Sequence, residues 1–142
     1  MKLTSMELIN GGALETRHGE KYDNVCPQLG WNGAPPETAS FLLAMVDVHP
    51  DGFGDVHWLV DRIPAEVGEI EGGGAIAGRE LTRYAGPCPS DGTHEYAFTL
   101  YALDAAAPEL PATTTLDAAL EQLDGHVLAT STLSGSFTRP AD

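Results

Sequence analysis

What limits the folding of this chain most is the shortness of its apolar segments. Sixteen glycines and ten prolines punctuate the 142 residues. The apolar or alternating runs between them are Ser40 to Val46, His57 to Ile63, Glu95 to Leu103 and Val127 to Phe137. They are too brief for long helices and have the length of strands. Along the third run His94, Tyr96, Phe98 and Leu100 fall on one face and Glu95, Ala97, Thr99 and Tyr101 on the other, because strand side chains alternate with period two. Only Leu116 to Leu123 reads as a helix, with Thr115 placed to cap its start and Gly125 to end it. Strands joined by Pro and Gly turns, with one short late helix, predict a mostly β, antiparallel fold of two packed sheets. The pattern leaves the strand order open.

Length and composition fit one domain over residues 1–142, since 42% hydrophobic and 20% charged residues are the proportions of a globular chain. Neither the Glu71 to Gly74 stretch nor the Ala105 to Pro111 run separates segments large enough to be domains, so both are expected to be loops. Seven Lys plus Arg against twenty-one Asp plus Glu give a formal charge of −14. Such a chain is repelled by nucleic acid and by an acidic membrane surface, and neither is expected as a stable partner. Any anion site must therefore be made locally by particular donors. Met1 to Gly12 lacks the apolar run of a signal peptide, and no later stretch approaches the ~18 consecutive apolar residues of a membrane span, so the expected location is cytoplasmic.

No cofactor is expected: the Gly-rich stretch at Glu71 to Gly74 lacks the lysine of a phosphate loop. The two cysteines, Cys26 and Cys88, are each followed by proline and are too few for a metal centre by themselves. In a reducing compartment two thiols are more often free than bridged. Cys88, set between two prolines with no assignable base, is a poor nucleophile candidate.

Three titratable residues stand where turns meet strands: Asp47 after Phe41 to Val46, His57 before Trp58-Leu59-Val60, and His94 before Tyr96-Ala97-Phe98. Singly, each is ordinary strand-end or turn chemistry. Together, a carboxylate beside two imidazoles favours their protonated form, and two imidazolium donors make a compact receptor for phosphate or carboxylate. His49 and Asp51 read as turn residues, His18 as part of a polar N-terminal hairpin region, and Trp58 as core. His126 fits either a helix C-terminal cation or a pocket neighbour.

The segment before His94 holds Gly86-Pro87-Cys88-Pro89, then Gly92, His94, Tyr96 and Phe98. It closely resembles a signature of the phosphatidylethanolamine-binding protein family, approximately G-P-C-P-P followed by G-x-H-x-Y-x-F in the bacterial and archaeal Raf-kinase-inhibitor-like branch. Other elements follow in the family's order. Asn24-Val25-Cys26-Pro27 with Leu29-Gly30-Trp31 resembles N-[IV]-S-P-x-L-x-W. His57-Trp58-Leu59-Val60 with Ile63-Pro64 resembles H-W-V-V-x-x-I-P, and Tyr101-Ala102-Leu103-Asp104 resembles L-Y-A-L-D. Gly125-His126-Val127-Leu128-Ala129, with Gly135 and Arg139, resembles G-H-[IV]-L-A and a terminal G-x-[YF]-x-R.

The resemblance implies a Greek-key β-sandwich with one or two short helices and a small pocket for phosphate, acetate or a phospholipid head group. Carried over position by position, the ligand-binding residues would be Asp47, His57, His94 and Tyr96, with Gly86, Pro87 and Pro89 shaping the rim. The family's D-P-D-x-P element departs here to Asp47-Val48-His49-Pro50-Asp51: the pocket Asp is kept, while Val48 and His49 stand where its proline and second Asp do. The loop to His57 is short, and an N-D-F-G-like insert between Arg79 and Tyr84 is missing, which implies a refitted mouth. Bacterial relatives are frequently dimers, so a homodimer is allowed, although no interface is legible.

Two functions are expected from this pattern. In the first the protein binds a small anionic ligand bearing phosphate or carboxylate. In the second it is a cofactor-free enzyme using His57, His94 and Asp47 for acid-base chemistry, such as isomerisation, cyclisation or elimination, on a small organic substrate. The sequence does not decide between them.

Overall fold

A computed structural model describes residues 1–90 and 92–140. The chain runs β1 (Lys2–Thr4), β2 (Gly12–Ala13), β3 (Leu29–Asn32), β4 (Ser40–Asp47), β5 (Val56–Pro64), β6 (Glu69–Ile70), β7 (Arg79–Thr82), β8 (Thr93–Leu103), α1 (Leu116–Gln122) and β9 (Val127–Thr138). The four apolar runs are strands β4, β5, β8 and β9, within a residue or two of the expected ends. Two sheets form, a three-stranded one in the order β1-β3-β6 and a six-stranded one in the order β2-β9-β8-β4-β5-β7. Pairing is antiparallel throughout except for the short β2–β9 contact. No N-terminal hairpin forms, because β1 pairs with β3 and β2 with β9.

The alternation of β8 is visible in its burial, with His94, Tyr96, Phe98 and Leu100 buried and Glu95 exposed. Between the sheets, Phe98, Leu100, Phe41, Leu43, Met45, Trp58 and Val60 meet Leu3, Leu29, Trp31 and Ile70. On the other face of the large sheet Leu42, Ala44, Leu59 and Leu103 pack under Ala119 and Leu123 of the helical segment. Helix α1 is the reason β4 reads as a continuous apolar run: it covers the face that a bare sheet would leave in water. Each of these large side chains contributes ~1.5–3 kcal/mol when fully buried, and the middle of β4 is covered on both faces. The helix starts as expected, with the Thr115 hydroxyl accepting from the Ala118 amide at 3.3 Å. Among the described residues no helix is long and apolar enough to cross a membrane.

Candidate functional site

The last residue of β4, Asp47, lies opposite Tyr96 in the β4–β8 register. His94 is two residues upstream on the same face of β8, so it is the diagonal neighbour of Asp47. The His94 Nδ1 to Asp47 Oδ2 distance is 2.7 Å, and Asp47 Oδ1 accepts the His49 backbone N–H at 2.9 Å. Gly52 closes over the carboxylate; a Cβ there would lie 2.2 Å from Asp47 Cγ. Asp47 is 4% exposed and His94 6%, so the pair is a fixed, nearly dry unit.

His57 enters this group because of a β-bulge. Met45 faces Trp58 and Val46 faces Val56, leaving His57 as the extra residue of β5. Val56 and Leu59 pack on the helix side, whereas Trp58 and Val60 point between the sheets. Strict alternation would send His57 toward the helix. The extra residue turns it the other way, as bulges do beside functional sites. Its ring stands edge-on to Tyr96, with centroids 5.2 Å apart and planes at 87°, while the His94 ring lies 6.5 Å from that of Tyr96 with planes at 28°. Burial, followed by the neighbouring Asp47 carboxylate, pushes the Tyr96 hydroxyl well above the usual tyrosine range, against a smaller opposing effect of the Cys88 backbone N–H. It therefore remains a neutral donor.

The segment leading into β8 is clamped from two directions. The Ala85 amide donates to the His57 carbonyl at 2.9 Å, and His57 Nδ1 lies 2.7 Å from the Ala85 carbonyl. On the other flank the Gly86 amide donates to Asn24 Oδ1 at 2.7 Å and the Glu20 amide to the Pro87 carbonyl at 3.1 Å. Gly86 meets the backbone of His18 so closely that a Cβ would sit 1.9 Å from its carbonyl oxygen. The glycine is thus explained by backbone approach.

His18 is not in a polar hairpin. It is fully buried, with Nδ1 donating to the Val25 carbonyl at 2.8 Å and its own carbonyl accepting from the Tyr84 hydroxyl at 2.9 Å. Its ring partner Val25 is close in sequence, but Tyr84 and Gly86, which pack against its backbone, come from far along the chain, so its sequence surroundings do not signal that role. Pro87 and Pro89 line a cavity of about 150 Å³ beside the histidines, of which His57 and His94 are not part of the wall.

The hydrogen bonds fix the tautomers. A carbonyl and a carboxylate accept only, so the protons of His57 and His94 sit on Nδ1 when the rings are neutral. Their Nε2 atoms have no protein partner among the described residues. Each is a lone pair when the ring is neutral and an N–H donor when it is protonated.

His49 belongs to the group as well as to the turn. It caps the short turn at Pro50–Gly52, its Nδ1 accepting the Asp51 amide at 3.0 Å, and its ring stacks on His94 with centroids 4.0 Å apart and planes at 8°. The proton of neutral His49 is therefore on Nε2, opposite to the other two histidines. Ligand atoms of His49, Asp51 and His94 lie within 4.8 Å of one another. They do not suit a metal ion: lone pairs lie in the ring planes, and two parallel stacked rings do not aim theirs at a common point. Both Nδ1 atoms are also engaged already.

His126 is a helix-end residue, with Nδ1 3.0 Å from Asp104 Oδ1 and its amide donating to the Leu123 carbonyl. It lies past the far end of β8, ~30 Å along the strand from His94 at ~3.3 Å per residue, and is no pocket neighbour. Trp58 is core, its indole N–H donating to Glu80 at 3.0 Å. Cys26 and Cys88 are free thiols, the first buried and the second exposed. Burial pushes the Cys26 thiol up.

The sequence model of the phosphatidylethanolamine-binding protein family matches residues 4–138. The chain belongs to this family. It is 33% identical to the UPF0098 protein of Methanothermobacter thermautotrophicus over 98% of this chain and 99% of that protein. In three dimensions it is similar to the phosphatidylethanolamine-binding protein homologue CT736 of Chlamydia trachomatis, with a TM-score of 0.89 and 27% identity over 98% of this chain and 97% of that one. A second similar structure is Escherichia coli YbcL, described as a member of the mammalian family, with a TM-score of 0.82 and 26% identity over 98% of each chain.

Proposed function

We propose that the protein binds a small anionic ligand, carrying phosphate or carboxylate, on the Nε2 atoms of His57 and His94 with the Tyr96 hydroxyl between them. The observation that carries this reading is the pair of Nδ1 contacts, to Ala85 and to Asp47, which hold both rings and leave both Nε2 atoms for a ligand. Protonated, each Nε2 becomes a charge-assisted donor, and such bonds are about twice as strong as neutral ones. The charge of −14 disfavours nucleic acid and acidic membrane as partners, so attraction comes from these local donors.

Isothermal titration with inorganic phosphate and acetate tests the reading. Saturable binding should weaken as pH rises and the imidazoles lose the second proton, and His57→Gln and His94→Gln should each weaken it about tenfold, about 1.4 kcal/mol, as expected for one charge-assisted bond. No binding of either anion to the folded protein, or full binding by both variants, refutes it.

A second reading is favoured by the Asp47–His94 pairing, which resembles the orientation of a general base by a carboxylate. In it His94 Nε2 moves a proton on a bound organic acid. Exchange of carbon-bound protons of small keto acids in heavy water, seen with the protein and abolished in His94→Gln, would support this; exchange equal in the two refutes it.

A further inference from the structure

The cavity beside the histidines has an unusual lining for so acidic a protein. Of seven Lys and Arg in the chain, two, Lys21 and Arg139, line this one space together with Tyr22, Phe137, Pro87 and Pro89. Of the other five, Arg17 contacts Glu7 and Glu15 and Arg79 forks onto Asp61 at 2.9 and 2.7 Å, whereas Lys2, Arg62 and Arg83 each line a different space as its single cation. Among the described residues neither Lys21 nor Arg139 has a carboxylate within 4.0 Å. Arg139 is held in place from behind, its amide donating to the Gly92 carbonyl at 2.9 Å and its guanidinium to the Ser90 carbonyl. A guanidinium carries five N–H donors, and among the described residues the Ser90 carbonyl is its one side-chain acceptor.

The space adjoins the histidine group through shared walls. Phe137 is the register partner of His94 across β8 and β9. Cys88 lines the cavity, and its backbone N–H lies near enough to the Tyr96 hydroxyl to oppose the rise in that group's pKa. The cavity measures about 150 Å³ and is partly open to solvent. That accommodates a short carbon chain ending in a carboxylate.

We propose that this cavity is a second anion subsite, and that the ligand is a small bifunctional acid. Its phosphate group rests on His57 and His94, and a short spacer carries its carboxylate to Lys21 and Arg139. The ligand assignment rests on the histidine reading above, whereas the anion preference of the cavity does not. A binding energy shared between two subsites on one rigid wall adds without a second loss of translational freedom, which is why the linked ligand should exceed either half.

Cys88 provides a readout independent of any ligand. It is exposed in the cavity wall while Cys26 is buried with its thiol pushed up, so alkylation reports on the cavity. Rates at Cys88 are measured with iodoacetate and with iodoacetamide, and their ratio is compared with that of 2-mercaptoethanol. A chain of charge −14 should disfavour the anionic reagent; the proposal expects a ratio above the reference and a fall of at least threefold in Lys21→Glu. Titration then compares 3-phosphonopropionate with phosphate, expecting at least tenfold tighter binding and a loss of that advantage in Lys21→Glu.

An alkylation ratio at or below the reference, unchanged by Lys21→Glu, overturns the subsite whatever phosphate does. A raised ratio with no phosphate binding keeps the cavity as an anion site and rejects the histidine reading. Phosphate binding with no gain for 3-phosphonopropionate keeps the histidine reading and overturns the bifunctional ligand.

Discussion

Replacing Asp47 by Asn tests whether the carboxylate sets the protonation pattern of the site. It accepts two contacts, the His49 backbone N–H on Oδ1 and His94 Nδ1 on Oδ2. An amide can accept on one side only, since its other side donates. If the amide oxygen turned toward His94, its NH₂ group would face the His49 N–H, and a backbone donor cannot change its nature. A buried donor left unpartnered costs ~1–3 kcal/mol. If instead the oxygen keeps the His49 N–H, the NH₂ group faces His94 Nδ1, and the ring answers by moving its proton to Nε2. The second arrangement satisfies both His49 and His94 and should prevail.

The magnitude follows from the bonds exchanged. A charge-assisted bond contributes ~1.5–3 kcal/mol and a neutral one ~0.5–1.5, so Asp47→Asn should destabilise the fold by ~1–2 kcal/mol. For a chain of this size that corresponds to a fall in Tm of roughly 2–8 °C. Nitrogen-15 and proton correlation of the histidine rings separates Nδ1–H from Nε2–H directly. The expected result is a neutral His94 that carries its proton on Nδ1 in the wild type and on Nε2 in Asp47→Asn, with phosphate binding weakened because the imidazolium has lost its carboxylate. Retention of the Nδ1 proton in the variant, or an unchanged Tm, refutes the reasoning.

Gly86→Ala should be among the most damaging single-methyl additions in the chain, because the new Cβ would meet the His18 carbonyl oxygen at 1.9 Å and that atom belongs to backbone. A loss of ~1–3 kcal/mol or more is expected, read as a lowered denaturation midpoint; a wild-type midpoint would show that the 84–90 segment is not clamped to the N-terminal loop. Gly52→Ala should spare most of the core but displace the Asp47 carboxylate, so its Tm loss should be accompanied by the same His94 ring change as Asp47→Asn; a ring spectrum like the wild type's refutes this. Stability should also fall in alkali. Burial raises the Tyr84 and Tyr96 hydroxyls above the ordinary value of 10.0. The folded state then holds protons that the unfolded chain releases, so the stabilisation is complete below about pH 10 and is lost as pH rises toward the folded values, by about 1.4 kcal/mol per pH unit for each group. A urea midpoint that stays flat between about pH 8 and about pH 11 contradicts this.

Which parts of this molecule were legible in its sequence depends on how local their causes are. Strands β4, β5, β8 and β9 and the cap at Thr115 are set by periodicity and turn residues a few positions away, so pattern finds them. The pairing of Asp47 with His94 is one step less local: each residue is visible at a strand end, but their meeting depends on the β4–β8 register that places Asp47 opposite Tyr96. His57 is harder still. Alternation from Trp58 and Val60 points it at the helix, and only the extra residue between Val56 and Trp58 sends it toward Tyr96. A bulge has no sequence signature when neither of its residues is glycine, so resemblance to a family, not periodicity, was the signal for His57. His18 and His49 lay beyond both kinds of signal. His49 reads as a turn residue because it is one, through the Asp51 amide; its stacking on His94 comes from the direction in which the turn after β4 folds back over the start of β8, which the sequence of the turn alone does not state. The site is therefore built less by its three expected side chains than by a bulge, a turn and a clamped Pro-rich segment that bring them to one edge of the sheet.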